Sequence, residues 1–129
     1  MSPLIEYYEN GEIWRKSWYK NDKWHREGDL PAVVEYYESG QLKTETWFKN
    51  GIFYREGDLP AVITYYENGQ HMREIWFKNG LFHREDLPAD IEYYDNGQLM
   101  KEMWCKNGKK YRGRDLPAVV YYDQNGNIL

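Results

Sequence analysis

The side chains able to do chemistry recur at fixed intervals along this 129-residue sequence. His25 and His83 share a register with Tyr54 and Tyr111, and a metal ligand or general base does not exchange freely with a phenol. That position is therefore expected to be structural. Arg26, Arg55, Arg84 and Arg112 follow these residues, each with an aspartate two or three residues on: Asp29, Asp58, Asp86 and Asp115. A guanidinium fork can hold a carboxylate and backbone carbonyls together, so each pair is expected to fix a bend in the chain; a row of anion sites is the alternative chemistry. Cys105 replaces Tyr19, Phe48 and Phe77 in its register, and its unit contains no histidine to act as a base. A small buried thiol is the expectation. His71 is a similar isolated departure, standing where Ile13, Leu42 and Leu99 stand elsewhere. Glu9, Glu38, Glu67 and Asp95 lie beside turns, with no convergent pair set in a pocket. The sequence holds no phosphate-cradling glycine loop, serine elbow or metal box. No catalytic residue, cofactor, metal or small-molecule substrate is expected.

The elements that position these residues follow from self-similarity. Leu-Pro-Ala begins at Leu30, Leu59, Leu87 and Leu116, in steps of 29, 28 and 29 residues, and Trp18, Trp47, Trp76 and Trp104 keep the same rhythm. A single repeat domain over 1–129 is expected: a half unit at 1–11, units at about 12–40, 41–69, 70–97 and 98–126, and a short end at 127–129. The short step arises at Arg84-Glu85-Asp86, which lacks the glycine found at Gly28 and Gly57, so that connection is expected to be a loop. Eight glycines follow Asn or Ser and mark chain reversals, for which a type I′ turn with positive φ at both central residues is the strongest hairpin signal. Segments such as Gln41–Lys49 alternate β-branched and aromatic residues without a helical stripe. Asp-Leu-Pro, lacking a ladder donor, is expected to bend a strand rather than reverse it. The predicted fold is all-β: an elongated, single-layer antiparallel meander of about nine long strands, roughly 40 Å across at about 4.8 Å per strand. An open ribbon is expected rather than a closed barrel, because an odd-stranded meander would bring its edges together parallel.

Composition narrows the function. Aromatic residues make up 18% of the chain, so the core is aromatic rather than aliphatic. A net charge of −4 gives no general pull toward nucleic acid, which is not expected as a partner. No apolar run reaches the roughly 20 residues of a membrane-spanning helix, and the first residues lack a secretory pattern. A lone cysteine suits a reducing compartment. An intracellular, cytoplasmic location is expected.

The stretch WFKNGIFYREGDLPAVITYYENG resembles a MORN-type repeat, in a longer variant with His-Arg or Tyr-Arg and Asp-Leu-Pro where that family has His-Gly and a second glycine. The wording is similar to repeats in proteins of giant DNA viruses and in bacterial antitoxin-like proteins. The resemblance implies a non-catalytic binding or scaffolding ribbon, in some members with lipid contact, and a viral source would place it in host cytoplasm or virion.

Two surfaces are candidates for contact. Lys20, Lys49, Lys78 and Lys106 form a row at equivalent turns, roughly 10 Å apart, that could meet lipid headgroups or simply keep the edge soluble. Trp14, Lys43, Met72 and Met100 share a register that varies while the scaffold stays fixed, the natural place for partner specificity on a ribbon. The expected function is protein–protein interaction or self-assembly, as a homo-oligomer covering an aromatic face. The alternative is a peripheral membrane or anionic-ligand module using the lysines.

Overall fold

Turns of two kinds set the chain's path in the computed structural model, which describes residues 2–129. Met1, the first residue of the leading half unit, lies outside the described residues. At Asn50-Gly51, Asn79-Gly80 and Asn107-Gly108 both central residues have positive φ, as a type I′ turn requires, and Asn21-Asp22 does the same at 52° and 63° without a glycine. At Gly11, Gly40, Gly69, Gly97 and Gly126 only the glycine is left-handed. There the loop has three residues: Gly11 donates to the Tyr8 carbonyl (3.0 Å) and Tyr8 to the Glu12 carbonyl (2.8 Å). In four of these turns the side chain before the glycine accepts the amide two positions on, as Asn10 does from Glu12 at 2.9 Å, whereas the Asn127 amide goes to Asp123. The type I′ expectation thus holds at the Lys-Asn-Gly turns and is corrected at the other five glycines. All eight do reverse the chain.

Between turns the alternating segments pair as strands. The first are β1 (Leu4–Tyr7), β2 (Ile13–Ser17), β3 (Tyr19–Lys20), β4 (Lys23–Trp24) and β5 (Val33–Tyr36). The pattern then repeats as β6 (Leu42–Thr46), β7 (Phe48–Lys49), β8 (Ile52–Phe53) and β9 (Val62–Tyr65); as β10 (His71–Ile75), β11 (Phe77–Lys78), β12 (Leu81–Phe82) and β13 (Asp90–Tyr93); and as β14 (Leu99–Met103), β15 (Cys105–Lys106), β16 (Lys109–Lys110) and β17 (Val119–Tyr121). Nine of these form one antiparallel sheet in the order β1-β2-β5-β6-β9-β10-β13-β14-β17, and β3-β4, β7-β8, β11-β12 and β15-β16 are separate two-stranded hairpins. The sheet is the open all-β meander expected, with β1 and β17 as its edges.

One detail differs. Each short leg between successive turns, such as Gln41–Lys49, is not one strand but two, divided at its tryptophan. The Trp18 amide donates to Ala32 and its carbonyl accepts from His25, so residues 26–31 leave the strand and return at the same rung. Trp47, Trp76 and Trp104 do likewise, creating excursions at 55–60, 84–88 and 112–117. The residue missing from the third unit is missing from its excursion, where no ladder is disturbed. Direction is kept across each excursion, so Asp-Leu-Pro is a detour and not a reversal.

The core lies where sheet, hairpins and excursions meet. Trp47, Ala61 and Ile63 form one buried cluster, and Trp76, Ala89, Ile91 and Cys105 another. On the hairpins the aromatic rings make a continuous row: Trp24 tilted against Phe48 (4.9 Å between centroids), Phe48 stacked on Phe53 (4.7 Å), Phe53 stacked on Phe77 (4.4 Å) and Phe77 edge-on to Phe82 (5.1 Å). Offset aromatic pairs at such spacings add to the area they bury. At the opposite end the second tyrosine of each pair ties its turn to the next unit, Tyr8 to the Tyr36 carbonyl and Tyr37 to the Tyr65 carbonyl at 2.6 Å, Tyr66 to Tyr93 and Tyr94 to Tyr122 at 2.7 Å.

Candidate interaction surface and the arginine row

The excursions begin with arginine and end with proline, and the first closes on the last. Arg26, Arg55, Arg84 and Arg112 each donate through Nη1 to the carbonyl of Pro31, Pro60, Pro88 and Pro117, at 3.1 to 3.2 Å. Each guanidinium also lies 3.6 to 3.9 Å above the tryptophan of its own unit: Trp18, Trp47, Trp76 or Trp104. The planar cation is suited to that seat. The carboxylate comes from elsewhere than expected. Arg55 holds Asp29 of the preceding unit with Nε and Nη2 (2.9 and 3.2 Å), and Arg84 holds Asp58 in the same way (2.9 and 3.1 Å). The arginine therefore fastens neighbouring excursions together as well as closing its own. Arg55 holds the Asp29 carboxyl below the usual carboxylate range. Arg26 has no excursion before it, Arg112 has no aspartate, and Asp86 and Asp115 are both left-handed at φ 58° and 56°. Trp18, Trp47 and Trp76 are buried, whereas Trp104 beneath Arg112 is only half-buried.

The His/Tyr register is equivalent in sequence and split in space. His25 and His83 are buried, while Tyr54 and Tyr111 are 42% and 53% exposed. Each imidazole accepts the Asn50 or Asn107 amide at Nδ1 (3.0 Å), so its proton is on Nε2 and is given to Glu27 or Glu85 (2.8 and 2.9 Å). A phenol turned outward cannot do this. The junctions His staples also carry a backbone bond from Gly51 to Trp24 and from Gly108 to Phe82. These imidazole bonds pull Glu27 and Glu85 below the usual carboxylate range.

The lysine row sits on the hairpin tips. Lys20, Lys49 and Lys78 are exposed and Lys106 half-buried. Lys20 and Lys106 lie 3.8 and 3.5 Å from Glu27 and Glu85, and Lys49 and Lys106 sit over Tyr54 and Tyr111. Trp14, Lys43, Met72 and Met100 are each the extra residue of a β-bulge, skipped where Glu6 pairs with Arg15 and Tyr7 with Ile13, and likewise in the other units. A bulged residue has no cross-strand partner, which frees its identity to vary. The tyrosine facing each bulge, Tyr7, Tyr36, Tyr65 or Tyr93, stays fixed. Cys105 is buried, and desolvation pushes its thiol up.

A further row escaped the sequence reading. Leu30, Leu59, Leu87 and Leu116, one per excursion, are 43–49% exposed. Leu-Pro-Ala recurs in every unit, but recurrence alone does not say which face a residue occupies.

No curated protein and no solved structure matched the chain in comparison. The family described as MORN repeat variant matches residues 3–22, 32–51, 61–79 and 91–103. Those segments carry the sheet strands from β1 to β14 and the first strand of the first three hairpins, and leave out the arginine excursions. With more than half its residues matched in four successive copies, the chain belongs to the MORN repeat family in its variant form.

Proposed function

We propose that this protein is a non-enzymatic ribbon whose excursion edge docks another protein or a second copy of itself. Repeats of this family generally take part in protein or membrane interactions. The observation that carries the protein-binding choice is the leucine row. Four units keep the same apolar residue at a place where it stays about half exposed, so burial within the fold does not account for it. The bulge residues add a second, variable row for specificity. A buried Cys105 with a raised thiol pKa favours binding over nucleophilic chemistry, and a free thiol suits an intracellular, cytoplasmic setting.

The test compares wild type with a variant carrying Ser at Leu30, Leu59, Leu87 and Leu116, matched for thermal midpoint. Light scattering at two concentrations reads self-association, and retention of proteins from a native extract reads foreign partners. Loss of either in the variant supports the proposal; identical mass and identical retention in both proteins would sink it.

The exposed hairpin lysines favour a second reading, binding to an anionic membrane surface. Pairing of Lys20 and Lys106 with Glu27 and Glu85 weakens it. Salt-sensitive co-sedimentation with phosphatidylserine vesicles, lost when Lys20, Lys49, Lys78 and Lys106 become Glu, is the result it requires.

A further inference from the structure

Arg112 keeps the tryptophan seat and the proline carbonyl bond of Arg55 and Arg84 but lacks their carboxylate. It lies 3.6 Å above Trp104 and donates to the Pro117 carbonyl at 3.2 Å. Arg55 and Arg84, seated the same way, each grip an aspartate of the preceding excursion with both Nε and Nη2. For Arg112 that aspartate would be Asp86. The third excursion lacks the glycine that takes φ 76° at Gly28 and 79° at Gly57, and Asp86 itself takes the left-handed conformation at 58°. The residue that should supply the carboxylate is used to make the turn. No ion pair joins Asp86 to Arg112, and a cavity of about 930 Å³ opens between the last two excursions. The filled junctions enclose about 170 Å³ at Asp29 and about 850 Å³ at Asp58, so the open fork of Arg112, and not the volume, sets the last junction apart.

The cavity's lining suits a ligand of defined chemistry. Arg84, Lys106, Arg112 and Arg114 face Asp86 and Glu102 across it, a cationic excess in a chain whose net charge is −4. Glu102 is already bound to the Tyr122 hydroxyl, and Arg84 to Asp58. Leu87 and Leu116 supply apolar walls on either side. We infer that the gap between the third and fourth excursions is a binding site for the carboxylate of an acidic peptide segment, gripped by Nε and Nη2 of Arg112 as Asp29 and Asp58 are gripped elsewhere in the same molecule. A planar fork matches a carboxylate through two parallel bonds, so the site selects geometry as well as charge. The inference rests on the protein-binding proposal only for the source of the carboxylate.

The chain supplies its own probe. A blocked Glu-Gly-Asp-Leu-Pro-Ala peptide, the sequence of Glu27–Ala32 and Glu56–Ala61, presents the aspartate as the filled junctions do. Titrated at millimolar concentration, it is expected to shift the Arg112 Nε–H resonance saturably, while the same peptide with Asp→Asn does not. Arg112→Lys should weaken binding about tenfold by removing the bidentate grip. Inserting one glycine between Glu85 and Asp86 should let the chain's own aspartate reach Arg112, abolishing peptide binding with the fold retained. Absence of a shift in wild type, undiminished binding by the insertion variant, or an equal response to inorganic phosphate would each overturn the carboxylate site. If wild type still retains a partner through the leucine row while Arg112 ignores the peptide, this inference alone fails.

Discussion

Single residues that depart from the repeat show what each place in the fold demands. Val33, buried, and Val62 and Val119, half-buried, occupy a rung that Asp90 fills in the third unit, at 1% exposure. A buried carboxylate survives only if paired, and Arg73 pairs it twice, at 2.9 and 2.6 Å. That ion pair raises the Arg73 pKa. Removing one partner strands a charge, whereas removing both returns the rung to its ordinary composition. Arg73→Ala is expected to cost about 3 kcal/mol in urea unfolding. Asp90→Val combined with Arg73→Thr, the combination of the second unit, should cost less than about 1 kcal/mol, and equal losses in the two variants would refute this account. Tyr54 marks the opposite case, an unstapled junction. Tyr54→His should restore an acceptor for the Asn79 amide, adding about 1 kcal/mol and slowing hydrogen exchange at Asn79. Unchanged exchange would mean that the imidazole alone does not close the junction.

At the level of elements, the two turn classes should respond differently to the same loss. Asn79 has φ 53°, a left-handed conformation that asparagine adopts at lower cost than alanine. Ser39 sits in a right-handed turn, its hydroxyl 3.4 Å from the Gln41 amide. Asn79→Ala is expected to lower stability by about 1 kcal/mol and Ser39→Ala by less than about 0.5 kcal/mol in paired thermal melts. Reversed magnitudes would show the turn assignments to be energetically irrelevant. The reversals, the meander and the loop character of the variable-length connection were legible because each recurs with its own signature. The split of each short leg at tryptophan was not, since Trp reads as a strand residue whichever partner its amide and carbonyl choose. Nor was the carboxylate partner of Arg55. Shifting a repeat sequence by one unit leaves it almost unchanged, so the residues cannot say whether an arginine meets its own aspartate or its neighbour's. The Arg112 site was hidden for a related reason: the missing glycine is visible in the sequence, but only the backbone shows that Asp86 replaces it at the turn.

Across the whole molecule, polar side chains tie unit to unit, and their titration should bound the stable pH range on both sides. Glu27 and Glu85 are held low chiefly by imidazole hydrogen bonds, Asp29 by Arg55, and Asp123 by the amide of Asn127. Each binds its proton less tightly in the folded chain, so its contribution is complete above the unfolded value of about 4 and is lost as pH falls through the lower folded value. The tyrosines work in the other direction. Burial pushes Tyr65 and Tyr93 well up, reinforced by hydrogen bonds to Glu45 and Glu74, and raises Tyr37 and Tyr66 as well. These phenols hold their protons more tightly when folded, so their contribution is complete below the unfolded value of about 10 and is lost as pH rises through the folded one. Thermal midpoints measured across pH should therefore form a plateau that falls below about pH 4 and again above about pH 10. The alkaline fall is the more specific test, because it arises from half-buried, hydrogen-bonded tyrosine hydroxyls repeated along the sheet. Tyr65→Phe with Tyr93→Phe should make that limb shallower and leave the acid limb in place. An alkaline limb of unchanged steepness in the double variant would mean that these two hydroxyls, bonded to Glu45 and Glu74 across the sheet, do not set the alkaline limit.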